Sequence, residues 1–437
     1  MQAETARDVD GVPPSFREAA GFWLQLGFVS FGGPAGQIAI MHREVIERRR
    51  WLAEREFTDA LNFCMLLPGP EALQLAIYLG WRLHGTRGGL AAGLGFILPA
   101  IAIMLALSFA YVSYGGLPSA QGLLLGLKSS VVAIVLVAVW RIGRRALGRP
   151  LYLVLAVGAF LGMAVLDVPF PVIILVAAAT GALLAPGPAA AGIPVPGRAS
   201  RRGRAWRVLA AGVLLWVLPW LLTGTALGFG SLWARSYVFF TQAALVTFGG
   251  AYAVLGYVTR HLVENFGWVS AAQSVAGLAL AETTPGPLVI VLQFMGFMAG
   301  WNHGAPLPAP VSALLAALLS CWATFLPSFV FIFLGAPYVE RIAHEPRLAG
   351  ALAAVTAAVV GIIATLALMI ARLVLLPQGA DGSVDPVALA SWPALDPGAG
   401  GRCRAGLPVA GPGLNEPVPG LYCDSSSSAS MRAATSA

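Results

Sequence analysis

The sequence carries very little charge for its length. Only 11% of its 437 residues are charged, whereas 58% are hydrophobic. Soluble globular proteins average about 25% charged residues, so this composition excludes that class. The apolar runs are long enough to be membrane helices rather than barrel strands. The chain is therefore predicted to be an all-α polytopic membrane protein, located in the cell inner (cytoplasmic) membrane.

Cysteine and histidine are also scarce, with four and five residues respectively. The cysteines lack metal-ligand spacing and the histidines are scattered, so no metal site is predicted. The sequence contains no Walker loop and no nucleophile–base motif. It is therefore not predicted to be an enzyme or an ATP-driven pump, and no catalytic residue or cofactor is expected.

Lysine occurs once, as Lys128 in the apolar segment 119–140. A cation near the middle of a membrane is costly, and it is usually retained for a partner or a permeating anion. The alternative is that the Lys128 side chain snorkels to the membrane interface. Fourteen of the 27 basic residues cluster at 43–55, 141–149 and 198–207. Such clusters mark cytoplasmic loops rather than nucleic-acid binding.

Composition divides the chain into two halves with about 10–12 hydrophobic segments. A polar N-terminal tail covers 1–18, and the first half covers 19–185. An Arg/Pro/Gly-rich cytoplasmic linker at 186–206 leads to the second half at 207–376. The Pro/Gly/Ala/Ser-rich tail at 377–437 is expected to be disordered.

Two Pro-Gly-Pro triplets interrupt apolar sequence, at 68–70 and 285–287. Proline blocks a continuous helix, so each triplet predicts a broken or re-entrant helix with its break near mid-membrane. Backbone N–H groups exposed at the start of the following half-helix, together with its positive end, suit an oxyanion. The alternative is that the triplets only kink helices for packing.

The two triplets belong to an internal repeat with a spacing of 217 residues. Ten of forty aligned positions are identical, namely the residues of FGG at 31–33 and 248–250, both PGP triplets, and Arg43/Arg260, Glu47/Glu264, Trp51/Trp268 and Leu61/Leu278. Two homologous halves with helices interrupted at matching positions are typical of secondary transporters. The loop after the first FGG has five arginines and its counterpart one, which favours inverted repeats.

Two carboxylates flank the breaks. Glu71 begins the half-helix after the first triplet and shares its face with Gln74, and Glu282 precedes the second triplet. Both are candidates to carry coupling protons. For Glu71 the alternative is a simple helix-capping role. The FGG motifs indicate either close helix packing or a second break, and the paired arginines Arg43 and Arg260 suggest substrate access or gating, with a solvated surface as the alternative.

The candidate substrate-binding or pathway residues are Lys128, Gly32, Gly33, Pro68, Gly69, Pro70, Gln74, Arg43, Gly249, Gly250, Pro285, Gly286, Pro287 and Arg260, with Glu71 and Glu282 as coupling candidates.

FGGPAGQIAIMHREVIERRRWL followed by LPGPEALQLAIYLGWRLHGTRGGLAAGLGFILPA resembles the chromate ion transporter family of the long, two-domain type. TFGGAYAVLGYV, TTPGP, GFMAGW and FLPSF resemble its second domain, and the resemblance covers residues 15–376. It implies efflux of chromate, with sulfate as a mimic, driven by an ion gradient. Glu71 stands where the family more often has a small residue, so its role is open.

The sequence therefore predicts a secondary transporter that exports chromate and gives chromate resistance. The expected partners are chromate, sulfate, protons or another coupling ion, and the lipid bilayer, but no nucleic acid. A homodimer is left open. The alternatives are a carrier for sulfate, molybdate or another anion and, from another class, a membrane scaffold subunit that transports nothing.

Overall fold

The computed structural model describes residues 14–31, 33–184, 202–248, 251–339 and 346–375. Within these ranges the fold is all-α, without strands, as predicted. Five helices are long and apolar enough to cross a membrane, namely Glu71–Tyr114, Pro118–Ala146, Ala205–Leu227, Ala309–Gly335 and Pro346–Arg372. Gly32, Gly249, Gly250, most of the predicted linker and the tail from 377 lie outside the described residues.

The first half contains seven α-helices: α1 (Phe16–Val29), α2 (Gly33–His42), α3 (Glu54–Leu66), α4 (Glu71–Tyr114), α5 (Pro118–Ala146), α6 (Pro150–Ala164) and α7 (Phe170–Leu184). The second half contains α8 (Arg202–Leu227), α9 (Leu232–Leu245), α10 (Ala251–Arg260), α11 (Ala271–Thr283), α12 (Val291–His303), α13 (Ala309–Gly335) and α14 (Pro346–Leu375). A π-helix follows α2 at Arg43–Arg48 and another follows α10 at His261–Asn265.

Helix α4 consists of two antiparallel arms. His84 and Gly85 have non-helical backbone angles inside its 44 residues, so the chain turns there. Beyond the turn, the backbone of Gly88 and the side chain of Ala92 pack directly against Gly80 of the first arm. The first arm is therefore about half a membrane long, and the second arm is long enough to cross.

Four of the predicted apolar segments are interrupted in the structure, including 236–257, where α9 ends at Leu245 and α10 starts at Ala251. The first, 19–41, was predicted as one segment, but α1 ends at Val29 and α2 starts at Gly33. The FGG motif therefore marks a second break, one of the two alternatives open from the sequence. The segments 60–81 and 269–299 are interrupted at their Pro-Gly-Pro triplets, as expected from the loss of a helix donor and the restriction before proline.

The short helices of the first half form two hairpins that start from one end of the bundle. Arg49, in the turn after the first π-helix, pairs with Glu18 at 3.7 Å and stacks over Phe22, both on α1. At the same end His84 Nε2 donates to the Pro14 carbonyl at 2.9 Å. The helices α1, α2, α3 and the first arm of α4 thus form two hairpins with their tips at the FGG and Pro-Gly-Pro breaks.

The second half repeats this arrangement from the opposite end. Arg235 of α9 stacks over Trp268, and Asn302 at the end of α12 donates to the Trp268 carbonyl at 3.0 Å. Trp233 at the start of α9 donates to the Ser312 carbonyl near the start of α13, at 3.3 Å. The far end of α13 packs through Phe333 against Gly89 at the first end of the bundle.

The element bounds follow the spacing of the sequence repeat. Helices α3 (Glu54–Leu66) and α11 (Ala271–Thr283) differ by 217 at both bounds. Hairpins that start from opposite ends are the arrangement that inverted halves would produce. The common origin of the two halves and their inversion stay predictions.

Helix α14 closes the bundle by packing against α5, α6 and α7. Gly181 of α7 contacts the backbone of Gly350, and Gly361 of α14 contacts the backbone of Ala156 on α6. Small residues permit this close approach, as is usual between membrane helices. Helices α6 and α7 have 15 residues each, which is short of the roughly 20 needed to span a membrane.

Candidate functional site

The tips of the four hairpins meet in the middle of the bundle through two crossed backbone hydrogen bonds. The N–H of Gly69 donates to the carbonyl of Thr247 at 2.8 Å, and the N–H of Gly286 donates to the carbonyl of Ser30 at 2.8 Å. Thr247 lies 217 residues after Ser30, and Gly286 lies 217 after Gly69. Each Pro-Gly-Pro break is thus joined to the FGG break of the other half.

Glycine is required at both crossing points. Gly69 has φ +125° and Gly286 has φ +106°, a region that L side chains rarely adopt. A Cβ on Gly69 would lie 2.7 Å from Gln74 Nε2 and 2.9 Å from Ser328 Oγ. A Cβ on Gly286 would lie 2.5 Å from the Ala100 Cβ. The breaks therefore combine a strained backbone with close contacts on all sides.

These two glycine N–H groups are engaged inside the protein, because a second hairpin tip supplies a carbonyl to each of them. The donors expected from the sequence are at the start of the following half-helix. There, the N–H groups of Glu71, Ala72 and Leu73 have no backbone acceptor within the described residues. The N-terminus of α4 therefore keeps the positive end that suits an anion.

Two buried glutamines hold the tips in place. Gln74 donates from Nε2 to the Pro68 carbonyl at 2.7 Å. Gln37 of α2 donates to the Gly286 carbonyl at 2.6 Å and so connects the first FGG break to the second triplet. Sequence reasoning selected Gln74 and missed Gln37, although an amide in an otherwise apolar half-helix was the available signal.

The two carboxylates beside the breaks differ from the other acidic side chains. Eight of the ten described Asp and Glu residues lie within 4.0 Å of an Arg or His nitrogen, namely Glu18, Glu44, Glu47, Glu54, Glu56, Asp59, Asp167 and Glu264. Among the acids that the structure describes, only Glu71 and Glu282 have no such partner. Both lie at helix ends next to a Pro-Gly-Pro triplet.

Glu282 has a neutral partner instead. The hydroxyl of Tyr252 donates to its Oε1 at 2.6 Å, within the usual range for an O–H···O hydrogen bond. Tyr252 follows the second FGG motif, so this bond joins the two hairpin tips of the second half. Sequence reasoning missed Tyr252, because a tyrosine in an apolar stretch is most often a packing residue.

Lys128 lies on α5, one of the helices that pack against α11 and α14. Its side chain is partly buried, and within the described part of the chain it has no hydrogen bond or ion pair. Lys128 is therefore half-buried on α5, and among the described residues no hydrogen bond or ion pair joins it to either break.

The paired arginines lie at the outer ends of the hairpins, away from the breaks. Arg43 is largely exposed and lies 3.7 Å from Glu44. Arg260 donates to Glu264 and to the Met163 carbonyl, each at 2.9 Å, and it also pairs with Asp167. These positions place the two arginines at opposite ends of the bundle, so they do not contact the tips together.

Glu44 at the first end is surrounded by arginines. Arg48 donates to it at 2.7 Å, and Arg49 lies 3.6 Å away. The hydrogen bond from Arg48, with the charges of Arg48, Arg49 and Arg43, lowers the pKa of Glu44 below its ordinary 4.5. A depressed pKa contributes stability above pH 4.5 that is lost as the pH falls through the lower folded-state value.

We therefore expect Glu44→Gln to lower the melting temperature of the detergent-solubilised protein by about 1–3 °C at pH 7. The difference from the unmodified protein should shrink below pH 4, where Glu44 is increasingly protonated in both the folded and the unfolded chain. Thermal unfolding followed at pH 7 and at about pH 3 measures this. Equal effects at both pH values would contradict the electrostatic explanation.

Broken hairpins that meet at the centre of an all-α bundle define a polytopic membrane protein of the transporter class. The sequence profile of the chromate transporter family matches residues 17–182 and 234–392, the greater part of the chain. The protein belongs to the chromate transporter family. Chromate transport across a membrane is the function that this membership supports.

Named relatives agree with the family assignment. The chain is 32% identical over 366 residues to a chromate transport protein of Pseudomonas aeruginosa, covering 82% of each chain. It is 28% identical over 378 residues to the chromate transport protein of Cupriavidus metallidurans, covering 82% of this chain and 83% of that one. An uncharacterized transporter of Methanocaldococcus jannaschii is 25% identical over 359 residues, covering 80% and 83%. No solved structure matches the chain significantly.

Proposed function

We propose that this protein is a secondary active transporter that exports chromate across the cytoplasmic membrane and so gives chromate resistance. The observation that supports it is the crossing of two pairs of broken hairpins from opposite ends of the bundle. Such a centre lets one end open while the other stays closed, which is the basis of alternating access. The likeness to two proteins named for chromate transport supports the substrate.

Electrostatics favours the outward direction. Moving one charge through 100 mV changes its free energy by about 2.3 kcal/mol, so a dianion leaving a negative interior gains about 4.6 kcal/mol. A proton carried along with the anion would reduce that gain by half. Export therefore needs no ATP.

Glu71 and Glu282 are the coupling candidates that the structure supports best. An acid without a cationic partner at a membrane break can exchange a proton, whereas one in an ion pair is held in its charged form. Glu71 is also close to the N-terminal N–H groups of α4, where it would repel an arriving dianion unless protonated. A role for Glu71 in helix capping alone is the remaining alternative.

The proposed function is tested by flux into proteoliposomes that contain only the purified protein. We expect chromate accumulation under an imposed membrane potential and pH gradient in the absence of ATP, with competition by unlabelled sulfate. Stronger competition by sulfate or molybdate than by chromate would indicate a carrier for one of those anions. A purified protein that moves no oxyanion would contradict transport and favour a scaffold role.

Lys128 has a smaller predicted effect. We expect Lys128→Gln to reduce chromate flux about 10-fold, because an unpaired cation at membrane depth attracts the permeating anion. Lys128→Arg, which keeps the charge, is the matched control and should retain most of the flux. If Lys128→Gln vesicles transport chromate normally, Lys128 serves only to snorkel toward the interface.

A further inference from the structure

Ser328 of α13 has a buried hydroxyl without a hydrogen-bond partner within the described residues. Most other buried hydroxyls on these helices donate to a carbonyl of their own helix, as Ser30 does to Leu26, Ser108 to Met104 and Thr324 to Ser320. Among the described residues, Ser312 of α13 is the one other buried hydroxyl without a partner. This local bond is the usual way to satisfy a serine or threonine in a membrane helix. Ser328 does not form this bond within its own helix, so its hydroxyl is available to donate to another acceptor.

The Ser328 hydroxyl faces the first break. Its Oγ lies 2.9 Å from the position that a Cβ of Gly69 would occupy, and Gln74 Nε2 lies 2.7 Å from the same position. Ser328 and Gln74 are both fully buried. One N–H of the Gln74 amide is used by the Pro68 carbonyl, so the second is available, because a side-chain amide has two donors.

The first break therefore gathers several unused donors. The Ser328 hydroxyl and the second N–H of Gln74 come from side chains, and the first turn of α4 adds backbone N–H groups. At the second break, the atom nearest to the Cβ position of Gly286 is the methyl carbon of Ala100 instead. Among the described residues, a cluster of unused side-chain donors beside the triplet glycine is therefore found at the first break.

We propose that Ser328, with Gln74 and the N-terminus of α4, binds one oxygen of a tetrahedral dianionic oxyanion at the first break when the hairpin tips move apart and Glu71 is protonated. This inference rests on the proposed function and assigns its substrate contact. A chromate- or sulfate-type anion has only acceptor oxygens, so it needs donors of this kind. Since this donor cluster lies at one break within the described residues, we expect one such site per chain.

The test compares three variants in proteoliposomes. Ser328→Ala removes the hydroxyl and should raise the KM for chromate about 10-fold with little change in maximal rate, the loss expected for one hydrogen bond to a charged group. Ser328→Thr keeps the hydroxyl and should restore the KM to within about threefold. Ser320→Ala is the matched control, because Ser320 is buried on the same helix but donates to the Ala317 carbonyl at 2.8 Å.

A direct binding measurement separates the outcomes. Sulfate or chromate should raise the melting temperature of the unmodified protein, and Ser328→Ala should need about 10-fold more anion for the same shift. A normal KM in Ser328→Ala, or an equal rise in Ser320→Ala, overturns the assignment of Ser328 while leaving chromate transport intact. If the unmodified protein neither binds nor moves an oxyanion, the proposed function and this site fail together.

Discussion

Replacing Gly69 or Gly286 by alanine is expected to reduce chromate flux to below about 1% of normal. A side chain at these positive φ angles costs about 1–2 kcal/mol, and overpacking of a tight site adds about 1–3 kcal/mol. Each added methyl group would also push apart the two chains joined by one crossed hydrogen bond. Since the tips of all four hairpins depend on the two crossings, either substitution should disturb the whole centre.

Two control variants distinguish the loss of a crossed hydrogen bond from the general effect of replacing a glycine by alanine. Gly122 on α5 has open space around its Cβ position, so Gly122→Ala should transport normally. Gly33 has φ +73° but no neighbour within 4 Å, so Gly33→Ala tests backbone strain without collision and should be intermediate. Flux into everted vesicles, normalised to folded protein by size-exclusion chromatography, gives the comparison. Near-normal flux in Gly69→Ala and Gly286→Ala would contradict the role of the crossings.

Replacing Glu282 by glutamine is expected to remove the response of transport to a pH gradient. Glutamine cannot take up and release a proton, so accumulation driven by the pH gradient should fall about 100-fold, to the level reached without a gradient. Exchange of labelled for unlabelled chromate should continue, because it needs no net proton movement. Tyr252→Phe should keep transport but shift its pH dependence, since it removes only the hydroxyl that donates to the carboxylate.

In the same assay, Glu71→Gln distinguishes the two proposed roles of Glu71, proton coupling and helix capping. If Glu71 carries a proton, the variant should lose gradient-driven accumulation as Glu282→Gln does. If it only caps α4, coupling should persist and stability should fall by about 0.3–1 kcal/mol. The matched control is Glu264→Gln, which removes a carboxylate held in an ion pair with Arg260 at 2.9 Å. Loss of coupling in that control would mean that the assay reports general damage.

The breaks could be predicted from the sequence, but their partners could not. Proline and glycine act on the local backbone, so the triplets at 68–70 and 285–287 were sufficient to locate the interruptions. The hydrogen bond from Gly69 to Thr247 joins residues far apart in the chain. It uses only backbone atoms, which every residue type provides, so no residue pattern indicates it. The two crossed hydrogen bonds could for that reason not be predicted.

Sequence reasoning also missed several uncharged polar residues at the centre of the bundle. Gln37, Tyr252 and Ser328 lie in apolar stretches, where such residues usually satisfy themselves within their own helix or pack against neighbours. Charged residues attracted attention because they are rare in this chain. The structure shows that two of them, Arg43 and Arg260, lie at the outer ends of the hairpins, whereas the uncharged residues line the centre.

The crossed hydrogen bonds have a consequence for how this protein can evolve. Both bonds join a backbone N–H to a backbone carbonyl, so they place no demand on the side chains of Ser30 and Thr247. Mutation can change those side chains while the connection between the halves persists, provided that glycine stays at the two donor positions. Each half is thereby free to acquire its own lining, such as the hydroxyl and amide at one break and the methyl group at the other. A scaffold whose halves are joined in this way can change its cargo without rebuilding its centre.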